Sequence, residues 1–326
     1  MQRMKRMATV VGFLMVVAAC AEGSNGSASL SPPPTLSVPT TVAEMVEIPA
    51  PSGTMEPGAE ILLTSGERVP EYEAWDPSTF SNPTIIDNAW LPMQPGTRTV
   101  YEGITREEGE VIPHQLIFVV TDLVKVIDGV PSLIRWDVDY SDGELVETEI
   151  AFYAQDDTGT VWRTGEYPEE WEEGQFLEAP AWLAGYEDAR AGIAMPSEPR
   201  MGARSFSQGW GPAVDFTDRA YIWDMGTQTC VAVDCYDNVM IIGEFNNDEP
   251  GSTQLKYYAE GIGNVQVGWD GDDSSVEELE LVEVTRLSPE EMADVREAAL
   301  TLDGRAYILL EDLYGLTEPA IVMGAG

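Results

Sequence analysis

Hydrophobic and polar positions along the chain change period several times. Ala8 to Ala19 is an apolar run without a charge, headed by Arg3, Lys5 and Arg6 and closed by Val17-Ala-Ala-Cys20. From Ala21 to about residue 58 there is no period: Ser, Thr, Gly and Pro dominate, with Pro32-Pro33-Pro34 at the centre. Such a stretch cannot bury enough surface to fold alone and predicts a tether. From Thr97 the period is two. Thr97–Glu102, Gln115–Ile127, Leu133–Tyr140, Leu145–Tyr153 and Thr160–Glu166 are rich in Val, Ile, Thr and aromatic residues. Asp128-Gly129, Asp142-Gly143 and Asp156-Asp-Thr-Gly159 separate them, and Asp-Gly is a strong hairpin signal. No helical stretch lies between these strands, which predicts an antiparallel meander and excludes a βαβ series.

The alternation fails between Tyr167 and Trp223, where Pro, Gly and aromatic residues dominate. It returns at Val239–Phe245, Thr253–Ala259, Gly263–Val267 and Val276–Val284. Then Ser288-Pro-Glu-Glu291 opens a helix as a capping box with proline at its first position. Met292, Val295, Ala298 and Ala299 share one face of it, and Ala306–Leu313 predicts a second short helix. The expected fold is mainly β: an antiparallel curved sheet or flattened barrel with one or two short C-terminal helices. The expected division is a leader over 1–19, a Ser/Pro/Thr-rich disordered tether over 20–58, the β domain over 59–286 and a helical extension over 287–326.

The leader changes the picture most. Its apolar run is far shorter than the roughly 20 residues a membrane span needs, and small residues precede its cut as in secretory signals. A cysteine at the cut resembles the lipobox of bacterial lipoproteins, which implies that Cys20 becomes the lipidated first residue. The implied location is the extracytoplasmic face of the bacterial cell membrane, with lipid as the attachment.

The chain has 57 acidic against 17 basic residues, a net charge of -40. The leader holds three of those bases and no acid, so its removal gives -43. This surface repels nucleic acid and anionic headgroups and excludes both as partners. It matches a protein facing salt water, where screening makes dense like charge tolerable. With Cys20 lipidated, Cys230 and Cys235 remain as an even pair in an exported chain, which predicts a structural disulfide.

Three stretches together resemble a widespread family of uncharacterised exported bacterial proteins. They are Trp90-Leu-Pro-x-x-Pro-Gly-Thr97, Tyr153-Ala-Gln-Asp156-x-x-Gly159-x-Val-Trp162 with Gly165-Glu166, and Lys256-Tyr-Tyr-Ala-x-Gly-Ile-Gly263. The family's motifs have the form YAQDxxGNVWxxGE and KYYAPGVG, from which Thr160 and Glu260 depart. The resemblance spans residues 80 to 268 and implies no reaction. The Tyr-Ala-x-Gly-x-Gly turn is also similar to that of β-rich periplasmic proteins shaped as curved half-barrels.

Candidate chemistry is thin. His114, the sole histidine, reads as a surface or strand-edge residue. No Gly-x-Ser-x-Gly elbow, His-Glu-x-x-His motif or P-loop occurs, so no catalytic residue and no metal ligand is assigned. No cofactor is expected. Calcium is the one ion to consider, at Asp270-Gly-Asp-Asp273 with Glu277 or at Asp156-Asp157-x-Gly159. The aromatic-rich segment 167–223 is the expected binding region, with Trp171, Trp182, Tyr186, Arg190, Arg204 and Trp210 taking a carbohydrate or apolar ligand, or an envelope partner. The expected protein is a non-enzymatic, lipid-anchored binder. The alternative is a carboxylate-dependent hydrolase of extracellular glycans, working through a pair such as Asp156 and Glu166.

Overall fold

The computed structural model describes residues 30–32, 70–107, 109–247, 251–271 and 275–324. The leader, Cys20, most of the tether, Asp272 and Asp273 lie outside the described residues. Of the tether, the Ser31 carbonyl accepts a hydrogen bond from Arg305.

Five long strands follow one another: β1 (Thr97–Glu107), β2 (Glu110–Ile127), β3 (Val130–Ser141), β4 (Glu144–Gln155) and β5 (Val161–Glu172). The Asp-Gly pairs do what their chemistry predicts. Asp128 and Gly129 have φ of 46° and 80°, and Asp142 and Gly143 have 51° and 79°. Two successive left-handed residues make the tight turn that matches strand twist, closing β2 onto β3 and β3 onto β4.

Five short strands come next: β6 (Gln175–Phe176), β7 (Trp182–Leu183), β8 (Arg190–Met195), β9 (Phe206–Ser207) and β10 (Gly209–Trp210). A second meander then runs through β11 (Arg219–Cys230), β12 (Cys235–Phe245), β13 (Ser252–Ala259), β14 (Gly263–Gly271) and β15 (Ser275–Arg286). Cys230 and Cys235 face each other at the β11–β12 hairpin and are joined by a disulfide.

The strands form one antiparallel sheet in the order β10-β8-β5-β4-β3-β2-β1-β15-β14-β13-β12-β11-β9. Only Gln208 separates β9 from β10, so residues 206–210 tie one end of the sheet to the other and nearly close a barrel. The seam is tight. A Cβ on Gly192 of β8 would lie 2.1 Å from the Gln208 carbonyl carbon, so only glycine fits there. The segment that looks irregular in the sequence is therefore the barrel's closure. Its strands are two to six residues long, too short to show a period, and β5 and β11 reach into it from either side.

Helix α1 (Pro289–Leu309) packs on the outside of the sheet, followed by α2 (Glu311–Tyr314) and β16 (Ile321–Val322), which pairs with β2. The Ser288 capping box forms as expected, with Glu291 reaching back to the Ser288 N–H. The second helix expected from Ala306 does not start there. Leu302 and Ala306 continue the stripe of Met292, Val295 and Ala299, so α1 runs on through Gly304, whose cost of about 1 kcal/mol the buried stripe outweighs. That stripe covers Ile117, Val119, Ile134, Trp136, Ile150 and Phe152 of β2–β4.

Because side chains alternate across a strand, covering those residues turns their neighbours inward. The inward set is Arg135, Asp137 and Asp139 on β3, and Glu147, Glu149 and Tyr153 on β4. Apart from Lys125 and its partners, the helix-covered face is mainly apolar, and the barrel interior carries charged side chains.

Candidate functional site: the charged interior of the barrel

A cavity of about 140 Å³ lies inside the barrel. Leu116, Phe118 and Val120 of β2 line it on one side, with Met93 of the incoming segment. Arg135, Tyr153 and Arg163 come from β3, β4 and β5, and Glu244 and Lys256 from β12 and β13. Segment 167–223 adds Ala194, Gln208, Phe216 and Asp218.

The two arginines share one aromatic ring. The Arg135 guanidinium carbon is 5.0 Å and that of Arg163 is 5.6 Å from the centre of Tyr153. Arg135 also lies 4.0 Å over Phe118, and such cation–π contacts strengthen where water is excluded. Each cation has its own carboxylate. Arg135 donates from Nε and Nη2 to Asp137, at 2.7 Å and 2.5 Å. Arg163 Nη1 is 2.9 Å from Glu166, and its Nη2 donates to the Tyr153 hydroxyl. Lys256 Nζ is 2.6 Å from Glu244, which also accepts from Gln208. Asp218 has no such cation: it accepts from Asn246, and burial, helped by the nearby Glu244, pushes it up to about 7.

Behind the arginines runs a belt of buried acids. Glu149 is fully buried, and neither of its carboxyl oxygens has a hydrogen-bond partner among the described residues. Burial and the neighbouring Glu166 and Asp137 hold it well above the carboxylate range. Burial and Glu149 do the same for Glu147. Desolvation penalises the charged form of a carboxyl, so both acids hold their protons to higher pH than an exposed glutamate does.

His114 is not at the surface. It is buried in this belt, with Nε2 2.8 Å from Asp139, and Nδ1 3.0 Å from both Glu277 and Thr105 Oγ1. Burial opposes its charge, but Asp139 and Glu277 outweigh that and raise its pKa well above the usual value. Its place on a strand of alternating residues gave no hint, because the charged face of that strand is normally the solvent face.

The residues expected to bind ligand are dispersed. Trp171 is buried against Phe176 with Arg305 over its ring, and Trp182 is buried in a stack on Phe216. Neither presents a face to solvent. Tyr186 donates to the Leu316 carbonyl, and Arg204 is paired with Glu73. Arg190 and Trp210 do come together as cross-strand partners beside the exposed Tyr72. Of the six, Arg190 and Trp210 are thus paired across strands, and Trp171, Tyr186 and Arg204 have partners elsewhere.

Asp156 and Glu166 do not face one another either. Asp156 accepts the Thr158 and Thr160 N–H groups and the Trp162 indole N–H, which shapes its turn. Asp157 holds Ser81. Glu277, taken as a calcium ligand, instead serves His114 and Gln254. Among the described residues no group of three or more His, Cys, Asp or Glu is placed to hold a metal ion.

No protein-family model matches the chain, and no curated protein matches it. The family suggested by the sequence motifs is therefore not supported at the level of those motifs. In the structure the stretch from Tyr153 to Trp162 builds the β4–β5 turn, and Tyr153, Lys256 and Tyr258 from the motifs line the cavity. Two solved structures are distantly similar. One is a protein from Bacteroides fragilis described as exported with a YmcC-like fold, at 8% identity and a TM-score of 0.37. The other, from Parabacteroides distasonis, is described as a lipoprotein, at 10% identity and a TM-score of 0.33. Each alignment covers 61% of this chain and 100% of the other.

Proposed function

We propose that this is an exported, lipid-anchored, non-enzymatic protein that binds a small ligand inside the barrel. The observation that carries the reading is the cavity itself, which is lined by aromatic rings and by three part-buried cations. A pocket lined by apolar and aromatic groups with a few convergent polar ones is the usual form of a small-molecule site. Segment 167–223 contributes by closing the barrel and by Gln208, Phe216 and Asp218, not by its indoles. The leader pattern ending at Cys20 supports the address.

The test is a thermal-shift screen of sugars, small acids, amines and lipids on the whole mature domain and on Ala194→Trp, which puts a large ring into the cavity. A compound that raises the melting temperature of the parent and not of the variant supports the reading. Compounds that act equally on both, or none at all, contradict it.

A glycan hydrolase remains as a second reading because Asp218 and Glu244 both line the cavity and burial raises Asp218 to about 7. A carboxyl with a raised pKa beside a second carboxyl is the arrangement such chemistry uses. Release of nitrophenol from aryl glycosides, abolished in Asp218→Asn, would favour it. The binding reading predicts no release by either protein.

A further inference from the structure

Resting on the ligand-binding reading above, we infer that the cavity takes a small organic anion, its carboxylate held by Arg135 and Lys256 and its apolar body lying against Leu116, Phe118 and Val120. The chain has 17 Lys and Arg against 57 acids, yet three of those cations, Arg135, Arg163 and Lys256, line one cavity of about 140 Å³. They reach the cavity from β3, β5 and β13, and the charge of each favours the ionised form of the same buried acid, Asp137, which only Arg135 contacts.

Their counter-ions hold them without using them up. Asp137 takes Nε and Nη2 of Arg135, and Nη1 makes no hydrogen bond among the described residues. Glu244 is the one acceptor on Lys256 Nζ among the described residues, and an ammonium has three donors. The Tyr153 hydroxyl accepts from Arg163 and keeps its own proton to give. These are donors without acceptors, which is what a carboxylate supplies.

The acids of the lining are less available. Glu277 serves His114 and Gln254, Glu244 serves Lys256 and Gln208, and burial keeps Asp218 protonated up to about 7. Asp137 and Glu166 are buried behind the arginines, where a ligand ammonium does not reach them. The opposite class of ligand, an amine, must therefore compete with Lys256, His114 and the lining amides for carboxyls already engaged.

The experiment is isothermal titration at pH 6.5 with monocarboxylates from acetate to decanoate and benzoate, each beside its primary amide and its amine. The mature domain, Lys256→Met and Lys256→Arg are compared, with circular dichroism to establish that each is folded. The expected result is a carboxylate bound at least tenfold more tightly than its amide. That preference falls about tenfold in Lys256→Met and is recovered in Lys256→Arg. Should Lys256→Met not fold, the carboxylate-to-amide ratio in the parent and in Lys256→Arg decides alone. An amide bound as tightly as its acid overturns the inference and leaves the ligand-binding reading standing. A preference for amines overturns it too. Failure of every probe to bind overturns the inference, and the ligand-binding reading is then decided by the sugars and lipids of the thermal-shift screen.

Discussion

At the scale of single residues, the barrel interior sets two acids side by side with opposite roles. Asp137 is the acceptor for Arg135, whereas Glu149 has like charges as neighbours and no hydrogen-bond partner among the described residues. Breaking a buried ion pair leaves a charge with no partner and costs about 3–5 kcal/mol. Replacing an unsatisfied buried polar group with an apolar one of similar shape removes a desolvation cost of about 1–3 kcal/mol. Urea unfolding at pH 7.5 should then show Asp137→Ala destabilised by about 3–5 kcal/mol and Glu149→Met as stable as the parent or more so. A large loss in Glu149→Met would mean that its carboxyl is an ionised partner of the arginines.

At the scale of elements, α1 determines which face of the sheet becomes the interior. Its anchor is Lys125 of β2, fully buried, with Nζ donating to Asp303 Oδ1 at 2.9 Å, Tyr307 Oη at 2.8 Å and the Glu318 carbonyl at 2.9 Å. All three ammonium donors are satisfied, and the rings of Tyr307 and Tyr314 flank the charge at 4.9 Å and 4.8 Å. Lys125→Ala leaves Asp303 buried without its cation. It should cost about 3–5 kcal/mol and make α1 the first site of limited proteolysis; cleavage starting elsewhere would show that the helix is held by its apolar stripe alone. Much of this level was legible in the sequence. The Asp-Gly turns, the two meanders, the Ser288 cap and the disulfide all follow from local chemistry. What was not legible follows from α1 as well. A strand reading Ile134-Arg-Trp-Asp-Val-Asp139 looks half-solvated, and only the helix on its apolar side shows that the charged side faces inward. For the same reason His114 read as a surface residue, and the binding region was sought among indoles that close the barrel. Tyr153 and Lys256 stand in the motif stretches, but nothing in the sequence marks them as lining one cavity.

For the whole molecule, charge governs stability. Glu170 and Asp218 are each pushed up to about 7, mainly by burial, and burial with nearby acids holds Glu147 and Glu149 well above the usual range. The folded state therefore binds more protons than the unfolded chain from about pH 5 to about 7, and stability must fall as pH rises through that window. His114 has the same sign: its raised pKa stabilises fully below about 6.5 and is lost as pH climbs through the folded value. Surface repulsion at a net charge of -40 adds to both but is screened by salt, the Debye length falling from about 10 Å at 0.1 M to about 3 Å at 1 M. Melting temperature in 1 M NaCl should thus still decline from pH 5 to pH 8; a rise would contradict the protonated belt. The central claim is that the barrel interior is the binding site. It is tested most directly by a crystal structure of the mature domain grown with the strongest compound of the thermal-shift screen. The account predicts density for that compound between Arg135, Tyr153 and Lys256. Density instead beside Tyr72 and Trp210, with the barrel interior holding no ligand, would contradict it.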